Sequence, residues 1–267
     1  MSYHKIISVI SEHTSSTVIA RYAVSMAAEC KAELVLYAAH DKASNEGILL
    51  DSERHMNHLF TAAFELGIPV TRITEIGNIG DLLPKRVHAE KADLVFYPLT
   101  LYKRYGADPQ RHTVHTLLRT IKSDLAIMRA VSLAKPHPRH ILAPLGKVIS
   151  DKERRLMFVT GLAKSFHALV TLFHLYAKRD AQGIPEDITQ FRLQLQQHDV
   201  TVRERCSTGP IGKTICVEAS TRNNDLIILG ASKRGVLQKL FFGNPAGDIV
   251  HQPPCNTILF RAGTGSP

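Results

Sequence analysis

The chain has 267 residues, of which 44% are hydrophobic and 21% charged, a composition that excludes a disordered tract and suits one large or two medium-sized globular domains. A formal charge of +9 with fourteen histidines besides favours anionic ligands without choosing among them, while aromatics at 6%, no tryptophan and no interleaved aromatic and basic run argue against a nucleic-acid reader. Cys30, Cys206, Cys216 and Cys255 form no C-x-x-C pair, which argues against a zinc ribbon or a disulfide scaffold and for a reducing, cytoplasmic compartment.

The N-terminal stretch MSYHKIISVI turns polar at SEHTSS, so neither a signal peptide nor a membrane span is expected there. Short β-branched or apolar runs then alternate with longer helical patterns. In chain order these are KIISVIS, TVIARYAVSMAAECKA, ELVLYAAH, DSERHMNHLFTAAFELG, PVTRITEIG, IGDLLPKRVHAEKA, DLVFYPL, VHTLLRTIK and LAIMRA. Apolar runs separated by helices predict a mostly parallel sheet with right-handed crossovers.

Lys135-Pro136-His137-Pro138 breaks the pattern and reads as a linker. The order then starts again with HILAPLG, ERRLMFVTGLAKSFHA, LVTLFHLYA, EDITQFRLQLQQHD, VTVRERC, GKTICVEASTRN, DLIILGAS and CNTILFRA. Ile6 aligns with Ile141 and Leu34 with Leu169 at an offset of 135, and Asp93 with Asp225 and Arg129 with Arg261 at an offset of 132. A repeat of this period is two copies of one domain. The expected division is residues 1–133, a linker at 134–138, and residues 139–267.

One stretch tests that reading. CSTGPIGKT, from Cys206 to Thr214, ends like a phosphate-binding P-loop, but Ser207 stands where the first glycine belongs. At the offset of 132, Gly77-Asn78-Ile79-Gly80 matches Gly209-Pro210-Ile211-Gly212. The common feature is a G-x-I-G turn from third strand to third helix, with Lys213 and Thr214 incidental to it.

Ligands of open parallel sheets sit outside the carboxyl ends of the strands, at the switch point of strand order. The loop after the fourth strand of the second copy, GASKRGVLQKLFFGNPAGDIV, offers glycines for close backbone approach, the basic pair Lys233 and Arg234, and Asn244-Pro245 opening a helix. A set of turn and capping residues on a solvated surface is the plainer reading of the same spacing.

At this loop the chain resembles the universal stress protein family, whose nucleotide-binding members carry Gly, two residues, Gly, nine residues, then Gly-Ser/Thr. HILAPLG, LVTLFHL, the Gly209-Pro210 turn and PPCNTILFR extend the resemblance along the second copy, and the two copies together look like a tandem member. The resemblance implies two Rossmann-like α/β domains of the adenine nucleotide alpha hydrolase type, each a five-stranded parallel sheet with helices on both faces. It implies ATP or another adenine nucleotide as ligand of the second copy, held by Gly146, Leu175, Gly209, Gly230, Lys233, Arg234, Gly243, Asn244 and Pro245. Lys233 replaces the second motif glycine and Asn244 the Ser/Thr, and Gly146 stands where such members usually place an acidic residue.

The first copy departs further, with Pro98, Leu101, Arg111 and His112 at the four motif positions, and Pro98 offers no backbone donor. Its expected role is packing against the second copy, an intramolecular version of the family's dimer contact. The resemblance also admits a homodimer of tandem chains.

The pairs His55/His58, His112/His115 and His137/His140 have no cysteine or carboxylate at ligand spacing, so no metal site is expected. No carboxylate lies among the strand-end positions of the second copy, which equips it poorly for acid–base catalysis. The resemblance implies a cytoplasmic stress-response regulator with at most slow, incidental ATP hydrolysis. The competing class is an interaction module without nucleotide, acting on a protein partner such as a membrane transporter.

Overall fold

A computed structural model describes residues 2–42, 44–99, 109–131, 137–176, 183–230 and 253–264; the side chains of residues 109–111 are not included in the description. The chain divides into two compact units, Met1–Ala130 with the chain end from Ala262, and Val131–Arg261.

In the first unit the order is β1 Lys5–Val9, α1 Thr14–Cys30, β2 Glu33–His40, α2 Glu46–Glu65, β3 Val70–Ile76, α3 Ile79–Ala89, β4 Leu94–Pro98, α4 Pro109–Thr120 and β5 Asp124–Arg129. The strands lie in the order β3-β2-β1-β4-β5, and every pair is parallel. Chain order reverses direction at β1, so α1 and α2 pack together while α3 packs with α4, which is how a doubly wound sheet covers its two faces. On α1 the residues Ile19, Ala23, Met26 and Ala27 recur at the spacing of one helical face, and all are fully buried. The edge strand β3 has no buried residue and mixes half-buried with exposed positions, as its polar sequence VTRITEI requires.

The second unit runs β6 His140–Leu145, α5 Lys152–Phe166, β7 Leu169–Tyr176, α6 Glu186–Gln197, β8 Val202–Thr208, α7 Ile211–Thr221, β9 Leu226–Gly230 and β10 Asn256–Arg261. Its strands follow the order β10-β9-β6-β7-β8, again all parallel.

The repeat is reproduced at the level of single hydrogen bonds. The Asp93 carboxylate accepts from the backbone N–H of His4 (2.8 Å) and Lys5 (3.2 Å). Asp225 accepts from those of Arg139 (2.9 Å) and His140 (3.1 Å). Each aspartate also donates its own N–H back to the first strand, to Lys5 in one unit and His140 in the other. The pairing corrects one alignment. Leu34 is opposite Ile6, whereas Val170, not Leu169, is opposite Ile141, so the second-strand offset is 136 (170 − 34). Helices α1 and α5 agree, because their left-handed C-caps are Lys31 and His167 (167 − 31 = 136). The stretch from β6 to the C-cap of α5 is therefore one residue longer than the stretch from β1 to the C-cap of α1.

The chain end closes part of the first unit. Gly263 donates its N–H to the buried Asp124 carboxylate at 2.6 Å, and Thr264 donates to the Lys122 carbonyl at 2.8 Å. A Cβ on Gly263 would come within 2.5 Å of that carbonyl oxygen. Asp124 also accepts from the Tyr3 hydroxyl at 2.7 Å, with both side chains buried.

Candidate functional site

In the second unit the chain order reverses between β6 and β9, and the two strands separate there. Their ladder holds only Ile141 opposite Leu226 and Leu142 opposite Ile227, three residues short of the end of each strand. Gly146 and Gly230 stand at the two lips of the gap. A Cβ on Gly146 would touch nothing closer than the Val148 carbonyl at 3.6 Å, so that lip is open.

The floor beside it comes from β7. His174 is buried and donates Nδ1–H to the Leu145 carbonyl at 3.0 Å, which fixes the end of β6. Leu175 is half-buried and supplies apolar surface. The segment from Gly146 to Asp151 is tied to α6, because Asp187 accepts from the Ile149 N–H at 3.1 Å and its carboxylate lies 3.6 Å from Lys152 Nζ.

At the Gly230 lip is a residue that the sequence reading passed over. Arg155, in the first turn of α5, lays its guanidinium against the α-carbon of Gly230. A Cβ at residue 230 would fall 1.8 Å from Nη2, 2.2 Å from Cζ and 2.5 Å from Nη1. Burial pulls the pKa of Arg155 below its ordinary value, and the charge of Asp151 one turn earlier opposes that shift. The signal was available: Arg155 precedes Phe158, Val159 and Leu162 by three, four and seven residues, the spacing of one helix face, and those three are buried. A charge in an apolar stripe asks for an explanation.

Gly209, placed at the site by the family resemblance, has a backbone role of its own. Its φ is +137°, a conformation that disfavours any side chain, and a Cβ there would lie 2.7 Å from Thr214 Oγ1. Thr214 donates its hydroxyl to the Pro210 carbonyl at 2.8 Å, inside its own helix. The Gly-Lys-Thr triplet is thus the opening turn of α7 after the third strand of the unit, as the repeat alignment predicts. Lys233, Arg234, Gly243, Asn244 and Pro245 lie outside the described residues.

The corresponding turn in the first unit is held by side-chain hydrogen bonds. Ser16 donates its hydroxyl toward the Ser11 and His13 carbonyls and accepts from the Ser11 N–H, and His55 Nδ1 lies 3.0 Å from the Ser11 carbonyl. Pro98 ends β4 where Gly230 ends β9.

A cavity of about 390 Å³ in the second unit lies at the other end of the sheet, among Leu169, Thr171, Arg203, Arg205 and Arg222. It sits beside the amino ends of the strands, where doubly wound sheets do not place their ligands, and Arg205 there is already paired with Glu218. The gap at Gly146 and Gly230 is the better candidate on both grounds. Among the described residues no group of three or more His, Cys, Asp or Glu side chains could hold a metal ion. No helix there is long and apolar enough to cross a membrane.

Fold and site together define a tandem pair of doubly wound α/β units, with an open switch point in the second. Residues 138–261 match the model of the universal stress protein family, and that stretch of the chain belongs to the family. Among solved structures, a universal stress protein from Archaeoglobus fulgidus is 13% identical with a TM-score of 0.66, over 97% of this chain and 96% of that one. The cytoplasmic domain of a prokaryotic cation chloride cotransporter is 10% identical with a TM-score of 0.67, over 100% and 98%. A protein of Pseudomonas aeruginosa PAO1 without known function is 15% identical with a TM-score of 0.64, over 97% and 93%. At these identities the likeness is one of fold. No curated protein matches the sequence.

Proposed function

We propose that the protein is a stress-response regulator whose second unit binds an adenine nucleotide, with ATP as the reference ligand. The observation that carries the reading is the parting of β6 and β9 between Gly146 and Gly230 beside the half-buried Leu175. Such a gap gives a flat apolar ring one wall and gives phosphates the bare backbone they need. The family of residues 138–261 supports the same place for the ligand. Lys233, Arg234, Gly243, Asn244 and Pro245 are assigned to the phosphate side, and regulation rather than turnover is the output, because no general base or metal ligand is assigned to the gap.

Calorimetric titration of the full chain with ATP, beside the Gly243→Asp variant, tests the reading. Binding by the parent and a clear loss in the variant is expected; equal heats from both, or none from either, would sink it. A second reading has one observation in its favour. The same two-unit fold, over the whole of this chain, forms the cytoplasmic domain of a cotransporter, so a regulatory surface acting on a transporter fits the architecture without any nucleotide. Recovery of a transporter with the full chain, undiminished by Gly243→Asp, would favour it.

A further inference from the structure

We propose that Arg155 is an anion-binding residue of the second unit, and that its guanidinium takes a phosphoryl group of the ligand lodged between β6 and β9. The inference rests on the reading that this gap holds a phosphorylated ligand, but it does not require the adenine.

Among the described residues Arg155 Nε is buried and has no hydrogen-bond partner. Asp151 favours its charge from one turn away without pairing to it. An arginine keeps its proton under all ordinary conditions, so burial does not remove the charge. Arg155 is half-buried, and a charge partly drawn from water with no partner among the described residues is costly; the cost is recovered when a counter-charge arrives with hydrogen bonds.

The location selects the kind of counter-charge. The guanidinium rests where the β6–β9 ladder has ended and where only a glycine at residue 230 leaves room for it. That is the switch point of the sheet. A planar fork of N–H donors at such a place matches the oxygens of a phosphate in shape and in charge.

The first unit supplies an internal control. Counting back from the C-caps at an offset of 136, Arg155 corresponds to Ile19 (155 − 136), which is fully buried. At the strand end, Gly230 corresponds to Pro98 (230 − 132). One copy of the fold is therefore completed with an apolar side chain and a strand-ending proline. Its other copy has an arginine together with the glycine that accommodates it. The helix does not need a cation at this position to pack, so the cation is there for something the first unit lacks.

The test is calorimetry on the full chain with three probes, ATP, adenosine and tripolyphosphate, for the parent, Arg155→Ala and Arg155→Lys. Losing a charged hydrogen-bonding group should weaken ATP and tripolyphosphate by about tenfold or more in Arg155→Ala. Adenosine binding should stay the same, and Arg155→Lys should recover part of the ATP affinity. Melting of Arg155→Ala at or above the parent's temperature is expected once the unpaired charge is gone, and it certifies that the variant is folded. Equal ATP affinity in parent and Arg155→Ala would overturn the proposal, as would an equal loss for adenosine and ATP, or no binding of any probe to the parent. If tripolyphosphate binds through Arg155 while adenosine does not bind and ATP gains nothing over tripolyphosphate, the anion site stands and the adenine reading falls.

Discussion

Replacing Asp225 by alanine removes the acceptor of two backbone N–H groups at the start of β6, those of Arg139 and His140. A hydrogen bond to a charged group is worth about 1.5–3 kcal/mol, and a buried donor left without a partner costs about 1–3 kcal/mol. With the Asp225 side chain only 8% exposed, water substitutes poorly, and a loss of about 3 kcal/mol is expected for Asp225→Ala. Asp93 makes the same two bonds in the first unit, but its side chain is 32% exposed. Water can replace it there, and Asp93→Ala should cost about 1 kcal/mol on the same accounting. Urea unfolding followed by far-ultraviolet circular dichroism reads both, and hydrogen exchange of peptides covering the first residues of β1 and β6 assigns each loss to its unit. If Asp225→Ala proves no more damaging than Asp93→Ala, or if both unfold like the parent, burial is not what sets the worth of the clasp.

Gly209→Ala forces a side chain onto a backbone at φ +137° and within 2.7 Å of Thr214 Oγ1, and should destabilise by about 1–3 kcal/mol; Gly146→Ala, facing open space, should fall within about 0.5 kcal/mol of the parent in the same urea titration. Lys213→Ala should leave ATP affinity within about twofold, whereas a P-loop lysine would be needed for the outer phosphates; a collapse of binding in the ATP titration would restore the P-loop reading of CSTGPIGKT. The exposed Cys206 should react with a thiol reagent in the native protein at pH 8, and the buried Cys255, whose thiol is pushed up to about 12 by burial, should react only after unfolding. Burial also pushes Tyr97 up to about 12. Both groups are neutral in the fold and ionise first in the unfolded chain. Stability should therefore be intact below about pH 8.5 and decline as the pH rises toward 12; a flat urea midpoint between pH 8 and 11 would refute this.

The strands and their repetition were legible because a parallel sheet writes itself as apolar runs between helices, and the edge strands as the polar runs VTRITEI and VRERCST. Helix starts were less so. The sequence pattern opens the second helix at Asp51, while the structure opens it at Glu46 with the Asn45 side chain accepting from the Ile48 N–H. Gly47 and the apolar run behind it hide the cap. The repeat slipped by one residue at Leu34 because the net extra residue lies between β6 and the C-cap of α5, where turn and helix start differ between the copies and no hydrophobic period marks the change. Of the candidate site, Gly146, Leu175 and Gly230 were placed by the family resemblance, and the structure puts each at or next to the end of its strand. Gly209 has a conformational reason to be glycine. Arg155 was hidden by its position in a helix's first turn, where a charge normally faces water. What turns it inward is the space left by a glycine 75 residues away (230 − 155), which no local pattern can show.

The bond from Gly263 to Asp124 sets a constraint in time as well as space. Asp124 belongs to β5, and every residue of the first unit's sheet has been translated long before Gly263 leaves the ribosome. Domains generally fold as they emerge, the N-terminal one first. Here the first unit must wait with part of its interior unfinished, its buried carboxylate short of one donor until Gly263 has been made. A message truncated after Arg261 would yield every described strand of both units and still leave the older unit open, so loss of the short segment that follows Arg261 would register first in the part that was made earliest.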